Sequence, residues 1–375
     1  MTTPASPRPS DPAAAGRSDA AVVPAPGGDG SGAVEGIDVD RVTAWFEANV
    51  EAATPPLEFT LIAGGRSNLT YAVADAAGHR YALRRPPISH VLPTAHDMAR
   101  EHRVMTALGP TAVPVPRTFG LCSDVGVTGS PFYVMELVAG HVLRDEAAVE
   151  RALGVPGRHR AGMSLADTLA ALHAVDVDEV GLGDFARHDG YIERQLRRWI
   201  GQFRESRVPG QQPPAVVEQV HDRLAASVPA QQGTAIVHGD YRLDNVVVGD
   251  DGSVLAVLDW EICTLGDALA DLGLLMVYWT EPGDDAALAG VTPTAMPGFP
   301  SRREIVERYA AASGRDLGAL DFYVAFGYWK LACILQGVYA RYVGGAAAGD
   351  RSSVDAYARS VVDLAERAST VLDGR

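Results

Sequence analysis

The residues of this chain best placed to do chemistry stand in HGDYRLDN, 238–245, just after the apolar run Ala235-Ile236-Val237. Asp240 carries a carboxylate that can take a proton from a hydroxyl. Asn245, five residues on, carries an amide oxygen that can face a hard cation. A second carboxylate, Asp259, lies in VLAVLDWE, 254–261. Mg2+ held against phosphates takes few protein oxygens of this kind, because it keeps several of its own waters. Each residue alone is an ordinary turn former; the three together, at these spacings, point to a site. His238 has a Gly beside it and no second His nearby, so it reads as a residue that orients the loop and not as a metal ligand.

A hairpin must bring these groups together. Residues 246–249 and 254–258 read as strands joined by Gly249-Asp250-Asp251-Gly252, a strong turn signal. Asp240 and Asn245 enter the hairpin and Asp259 leaves it, so folding back sets Asn245 beside Asp259 with Asp240 near. The spacing H-x-D-x-x-x-x-N is that of the kinase catalytic loop, where the Asp accepts the proton of the attacking hydroxyl, the Asn holds a metal, and a later Asp is a second metal ligand.

Such chemistry makes demands upstream: a cation on the third strand that reaches the nucleotide phosphates, steadied by a helix carboxylate. In YALRRPP, 81–87, period-2 alternation puts Ala82 and Arg84 on one face and Tyr81 and Leu83 on the other. Arg84 is the candidate cation and Glu101, in AREHRVMTAL, its candidate partner. Protein kinases carry Lys here; Arg keeps the charge but presents a planar fork of donors, so the geometry must differ. AGGRSNLTY, 63–71, is the candidate phosphate loop: Gly64 and Gly65 allow close backbone approach, and Ser67 and Asn68 add donors. It is not G-x-G-x-x-G, and a plain hairpin turn explains it about as well. In FYVMELVAG, 132–140, backbone groups from Glu136 to Val138 can meet an adenine, although the stretch also reads as a core strand. Asp267 and Asp271 open a helix, Asp267 at its N-terminus and Asp271 placed to brace the catalytic loop. Trp260 and Glu261 stand where protein kinases carry Phe and Gly, so Phe-driven switching is not implied.

The elements around these motifs form two groups. A helix is expected over 38–50 with Asp38 as its cap, then strands over 57–63, 69–75 and 79–84, a helix over 94–108 and a strand over 131–138. After Gly140 helices dominate, over 161–175, 189–205, 214–227, 267–280, 302–313, 319–343 and 351–372, interrupted by the hairpin and a strand over 234–237. The expected class is α+β: an N-lobe over 37–137 with a small antiparallel sheet, and a larger helical C-lobe over 138–375 carrying the catalytic loop and acceptor site. Residues 1–36, rich in Pro, Ala and Gly with few large apolar groups, read as a disordered tail. A net charge of −15 argues against nucleic acid as a partner. No run approaches the roughly 20 apolar residues of a membrane span. The three cysteines, widely spaced and odd in number, support no disulfide framework and point to a reducing cytoplasm.

The motifs, taken in order, resemble the aminoglycoside phosphotransferase and choline kinase-like family of small-molecule kinases. Within it, the nearest resemblance is to the kinase-like domains fused to acyl-CoA dehydrogenases and to their free-standing bacterial relatives. The stretches that carry it include GGRSNLTY, YALRRPP, PVPRTFGLC, SPFYVMELVAG, LAALHAVD, HGDYRLDN, VLDWEICTLGDALADLG and FYVAFGYWKLACILQGVYARYVGGAA, spread over about 57–347. Ala268 stands where the family's GDP turn has Pro. The resemblance implies a bilobed protein-kinase-like fold, ATP with Mg2+, and transfer of the γ-phosphoryl to a small-molecule hydroxyl. By position, Asp240 would be the base, Asn245 and Asp259 the metal ligands, and Arg84 the phosphate contact. The dehydrogenase-fused relatives suggest a hydroxyacyl-CoA or hydroxy acid acceptor. An aminoglycoside- or choline-type kinase and a nucleotide-binding pseudokinase module without turnover are the alternatives, because a shared fold does not fix a substrate. Lys330, Gln336 and Arg341 suit an anionic acceptor, or else mark the polar edge of a core helix. The oligomeric state is left open.

Overall fold

The computed structural model describes residues 34–63, 68–88, 97–208, 210, 212–284, 292–344 and 351–374. Of the tail expected over 1–36, residues 1–33 lie outside the described residues. Residues 34–36 are tied to the first lobe: the Tyr71 hydroxyl donates to the Glu35 carbonyl at 2.5 Å, and the Arg85 guanidinium donates to the Gly36 carbonyl.

Helix α1 (Val39–Asn49) starts at Asp38, whose carboxylate accepts from the Arg41 N–H at 3.1 Å; a cap of this kind stabilises by roughly 1 kcal/mol. Val42 and Phe46, one turn apart, are its buried residues. Strands β1 (Glu58–Ala63), β2 (Leu69–Ala74) and β3 (Arg80–Arg85) follow, then α2 (Met98–Leu108), β4 (Thr118–Cys122), the single turn α3 (Val125–Thr128) and β5 (Phe132–Glu136). The sheet runs β1-β2-β3-β5-β4, with every pair antiparallel. Register sets Tyr71 against Leu83 and Thr70 against Arg84. The expected alternation therefore sorts the faces: Tyr71, Val73, Tyr81 and Leu83 pack with Val42 and Phe46, while Thr70, Ala82 and Arg84 line the cleft behind the sheet.

Several features depart from expectation, among them the helical turn α3, which was not foreseen. Strand β4 was not foreseen; it is an edge strand, only partly buried, with a register shift between Thr118 and Gly120, so it carries no clean alternation. Strand β5 ends at Glu136, two residues early, where the chain leaves the sheet to join the lobes.

The helical lobe follows: α4 (Glu146–Ala152), α5 (Val155–Ala174), α6 (Tyr191–Glu205), α7 (Ala215–Ala226), β6 (Ala235–Val237), β7 (Val246–Val248), β8 (Val254–Val257), β9 (Thr264–Gly266), α8 (Leu269–Tyr278), α9 (Arg302–Ser313), α10 (Leu320–Val343) and α11 (Arg351–Leu372). Helix α5 begins six residues before its expected start because Pro156 sits in its first turn, where a missing N–H costs nothing. The hairpin β7–β8 forms as expected, and β6 pairs with the unforeseen β9, a three-residue strand too short to leave a pattern. His141 exchanges both backbone hydrogen bonds with Val248 at 2.8 Å, stitching the lobe connection to the hairpin.

Helix α8, apolar but for Asp271, is buried on every side from Leu269 to Val277. It lies against α10 so closely that a Cβ on Gly273 would meet the Tyr323 backbone at 2.5 Å. Gly273→Ala is expected to cost about 1–3 kcal/mol by overpacking, read as a lower urea midpoint at unchanged m-value.

Candidate active site

Arg242 is extended and Leu243–Asn245 form a short 3-10 turn; Tyr241 and Leu243 are buried in the core, while Asp240 and Asp244 both stand beside the Arg242 guanidinium. The Tyr241 hydroxyl anchors the loop by donating to the Leu165 carbonyl at 2.9 Å. Asp271 braces it, as expected, accepting from the His238 N–H at 2.7 Å and the Gly239 N–H at 2.8 Å. Gly239 has φ 87, a conformation that favours glycine. His238 orients the loop through its Nε2, 2.8 Å from the Leu258 carbonyl. His173 lies between Asp271 at 3.3 Å and the Tyr309 hydroxyl at 2.8 Å. Lys330, buried on α10, donates to the Gly239 carbonyl at 2.9 Å; this favours the core-helix reading of that lysine.

Burial alone would raise the Asp271 carboxyl, but its hydrogen bond to His173 and the loop N–H groups outweigh burial and hold it below its ordinary value. A depressed folded pKa means that the stabilisation is present above the unfolded carboxylate value and is lost as pH falls through the folded one. Asp271→Asn is expected to destabilise by about 1–3 kcal/mol near neutrality, because an amide cannot accept from both N–H groups without stranding its own donors. The deficit should shrink in urea titrations run toward about pH 3, below the ordinary carboxylate range.

The folded-back hairpin brings its entry and exit together: the Leu258 N–H donates to the Asn245 carbonyl at 2.9 Å, so Asp259 follows directly beside Asn245. Asn245 Nδ2 donates to the Asp240 carbonyl at 2.9 Å and to its Oδ2 at 3.0 Å. The Asp240 side chain keeps 24% of its surface exposed. Asp259 holds φ 64, a left-handed conformation uncommon outside glycine, so the turn that aims its carboxylate is locally strained.

Arg84 and Glu101 meet as expected, and Asp259 joins them. Arg84 Nε lies 3.1 Å from Glu101 Oε2 as an ion pair off hydrogen-bond alignment, and Nη2 donates to Asp259 Oδ1 at 2.5 Å. One planar fork thus spans two carboxylates, which a point-charged ammonium would do with poorer geometry. Asn68, expected to face phosphate, instead donates from Nδ2 to Glu101 Oε1 at 2.9 Å; the Tyr133 hydroxyl donates to Oε2 at the same distance. Sequence reasoning missed Tyr133, whose β-strand pattern reads simply as core. Burial raises Glu101 to about 7 and also raises Asp259, against the pull of Arg84 in both cases. Gly65 and Ser67 lie outside the described residues.

Beside this cluster a pocket lined by Ile62, Thr70, Ala82, Met135, Val142 and Leu258 opens at Glu136, Leu137 and Val138, as the expected adenine contact requires. It shares Thr70, Met135 and Leu258 with the smaller cavity at Arg84 and Asp259. Among the described residues no group of three His, Cys, Asp or Glu side chains is arranged to hold a metal. A divalent ion here would rely on Asp259, on Asn245 through Oδ1, and on ligand phosphates, a set of hard oxygens that suits Mg2+. The buried charges fit such an ion too: the single Arg84 guanidinium faces both the Glu101 and the Asp259 carboxylate.

A small antiparallel sheet over a helical lobe, with this loop and hairpin at their junction, defines a kinase-like phosphotransferase fold. The chain belongs to the phosphotransferase enzyme family, whose model matches residues 58–323. It is 35% identical over 314 residues to acyl-CoA dehydrogenase family member 11 of Gallus gallus, covering 81% of this chain and 39% of that protein. It is equally identical over 307 residues to family member 10 of Mus musculus, covering 79% of this chain and 27% of that protein. The chain thus spans well under half the length of these curated relatives. Among solved structures it is similar to a Ralstonia eutropha protein assigned provisionally to the aminoglycoside phosphotransferases: 32% identity, a TM-score of 0.76, and coverage of 90% of this chain and 98% of that one. Among the described residues no helix is long and apolar enough to cross a membrane.

Proposed function

We propose that this protein is an ATP- and Mg2+-dependent phosphotransferase that moves the γ-phosphoryl of ATP to a hydroxyl of a small molecule. The observation that carries the reading is the meeting of Asp240, Asn245 and Asp259 around one hairpin, with Arg84 bonded to Asp259. The N-lobe, 37–137, supplies Arg84, Glu101 and the adenine-facing backbone of Glu136; the C-lobe, 138–375, supplies Val138, the loop and the acceptor site. Asp240, partly exposed and fixed by Asn245, orients the acceptor hydroxyl and receives its proton. Bound Mg2+ would neutralise charge on the phosphates. Arg84 gives part of its fork to phosphate oxygens while Glu101, clamped by Asn68 and Tyr133, keeps the rest in place. Catalysis then rests on positioning and charge neutralisation.

The curated relatives bear the name acyl-CoA dehydrogenase, which supports reading the acceptor as a hydroxyacyl-CoA or a hydroxy acid; an aminoglycoside or a choline-like alcohol is the alternative. Three free buried cysteines suit a cytoplasmic setting. A second reading, a nucleotide-binding module without turnover, draws on Arg84 standing where protein kinases carry Lys. An ATP-consumption screen with Mg2+ against hydroxyacyl-CoAs, hydroxy acids, choline-like alcohols and aminoglycosides separates them. Turnover with a hydroxyacyl compound supports the first reading, and nucleotide binding without turnover on any of them supports the second.

A further inference from the structure

Of the 32 Lys and Arg residues in the chain, Lys330 alone is a lysine. It sits on α10 with 6% of its surface exposed, beneath the catalytic loop. Nζ donates to the Gly239 carbonyl at 2.9 Å and lies 5.7 Å from the centroid of the Trp199 ring on α6. A compact ammonium suits one carbonyl beside a ring, where the planar fork of an arginine would bring donors with no use.

The carbonyl it holds belongs to a hinge. Gly239 has φ 87, and a Cβ there would meet the Ile262 side chain at 3.1 Å, so the position favours glycine on both counts. A glycine leaves the next peptide plane free to rotate, and that plane ends at the Cα of Asp240. Here the plane is held at both ends: Lys330 takes its carbonyl, and His238 Nδ1 accepts its N–H, that of Asp240, at 3.3 Å. The plane before it is held by Asp271, which accepts from the Gly239 N–H at 2.8 Å. Asp271 stands on α8 and Lys330 on α10, and glycines let these helices pack closely. A Cβ on Gly273 would meet the Tyr323 backbone, and one on Gly327 would meet Val277 at 3.1 Å. Gly273 lies two residues after Asp271 and Gly327 three before Lys330, so the close contact sets the anion and the cation on either side of Gly239.

We propose that Lys330 is a positioning residue for phosphoryl transfer: by holding the Gly239 carbonyl it locks the glycine hinge from which Asp240 departs. It touches none of the reacting atoms. Its effect runs through the backbone to the direction of the Asp240 carboxylate and leaves the pair of Arg84 with Asp259 in place.

The functional half of the proposal rests on reading Asp240 as the group that receives the acceptor's proton, so lock and turnover are read separately. Amide hydrogen exchange of the loop segment 238–242 reads the lock without substrate. ADP release from MgATP with water as acceptor reads turnover, beside calorimetric nucleotide affinity and the melting temperature. Lys330→Met keeps the length of the side chain and removes its donors; Lys330→Gln keeps an N–H donor one bond shorter. In Lys330→Met the loop amides should exchange about tenfold faster while those of α8 are unchanged. Its kcat should fall about ten- to hundredfold, with KM for ATP and nucleotide affinity held within about twofold. Lys330→Gln should recover part of both losses, and it carries the test alone if the Met variant fails to fold. A merely structural role would lower the melting temperature and leave kcat of the folded fraction unchanged. Loop exchange at the wild-type rate in both variants overturns the lock. Faster exchange with wild-type kcat, while Asp240→Ala is inactive, overturns its part in the reaction. ADP release by Asp240→Ala at the wild-type rate, or none from the wild type, overturns the reading of Asp240 and the functional half with it; the exchange result still decides the lock.

Discussion

Asp240→Ala is expected to lower phosphoryl transfer about 10²–10⁴-fold, the range that a positioned proton acceptor supplies, while MgATP affinity stays within about twofold. The separation follows from the contacts. Asn245 Nδ2 also donates to the Asp240 carbonyl, so it keeps an anchor when the carboxylate is removed. The loop backbone is held independently by Asp271 and Tyr241. Asn245 is the metal-side group bonded to the Asp240 side chain, and its bond to the Asp240 carbonyl survives the change. Asp240→Asn sharpens the test: it preserves shape and removes charge, so a loss as large as that of the Ala variant assigns the effect to proton acceptance. Single-turnover rates with the acceptor from the screen, beside calorimetric nucleotide affinity, read both quantities.

Removing Arg84 should have the largest effect on stability. Its guanidinium is the direct partner of two carboxylates whose side chains are 1% and 8% exposed. Arg84→Met fills similar volume but strands both charges, and breaking a buried ion network from one side costs about 3–5 kcal/mol. Glu101 would keep its bonds from Asn68 and Tyr133; Asp259 would lose the guanidinium bonded to it, at a strained backbone position. Urea denaturation should report the deficit near neutrality. Burial already raises Glu101, and the loss of Arg84 raises it further, so the deficit should shrink as pH falls and a proton neutralises the carboxyl. Arg84→Lys should recover part of the stability, because a single ammonium can meet one of the two carboxylates well but not span both.

Much of this site was legible in the sequence because its signals are local. The turn Gly249–Gly252 announces the hairpin, and a hairpin's ends must meet, which places Asn245 against Asp259 without further information. Alternation along β3 put Arg84 on the cleft face, and register with β2 bears this out. What stayed hidden is set by tertiary packing. Asn68 reads as a loop donor until α2 brings Glu101 to it. Tyr133 reads as strand core until its hydroxyl finds the same carboxylate. Strands β4 and β9 carry no signal of their own, since each is defined by its partner and not by its composition.

The most direct test of phosphoryl transfer follows the phosphate itself. Wild-type protein and Asp240→Ala are incubated with γ-labelled ATP, Mg2+ and the hydroxyacyl-CoA and hydroxy acid panel, and the small molecules are separated and counted. The account predicts a labelled phosphate ester on an acceptor of this class, formed by the wild type and lost in the variant. Equal labelling by both proteins, or tight MgATP binding by the wild type with no acceptor labelled, would contradict it.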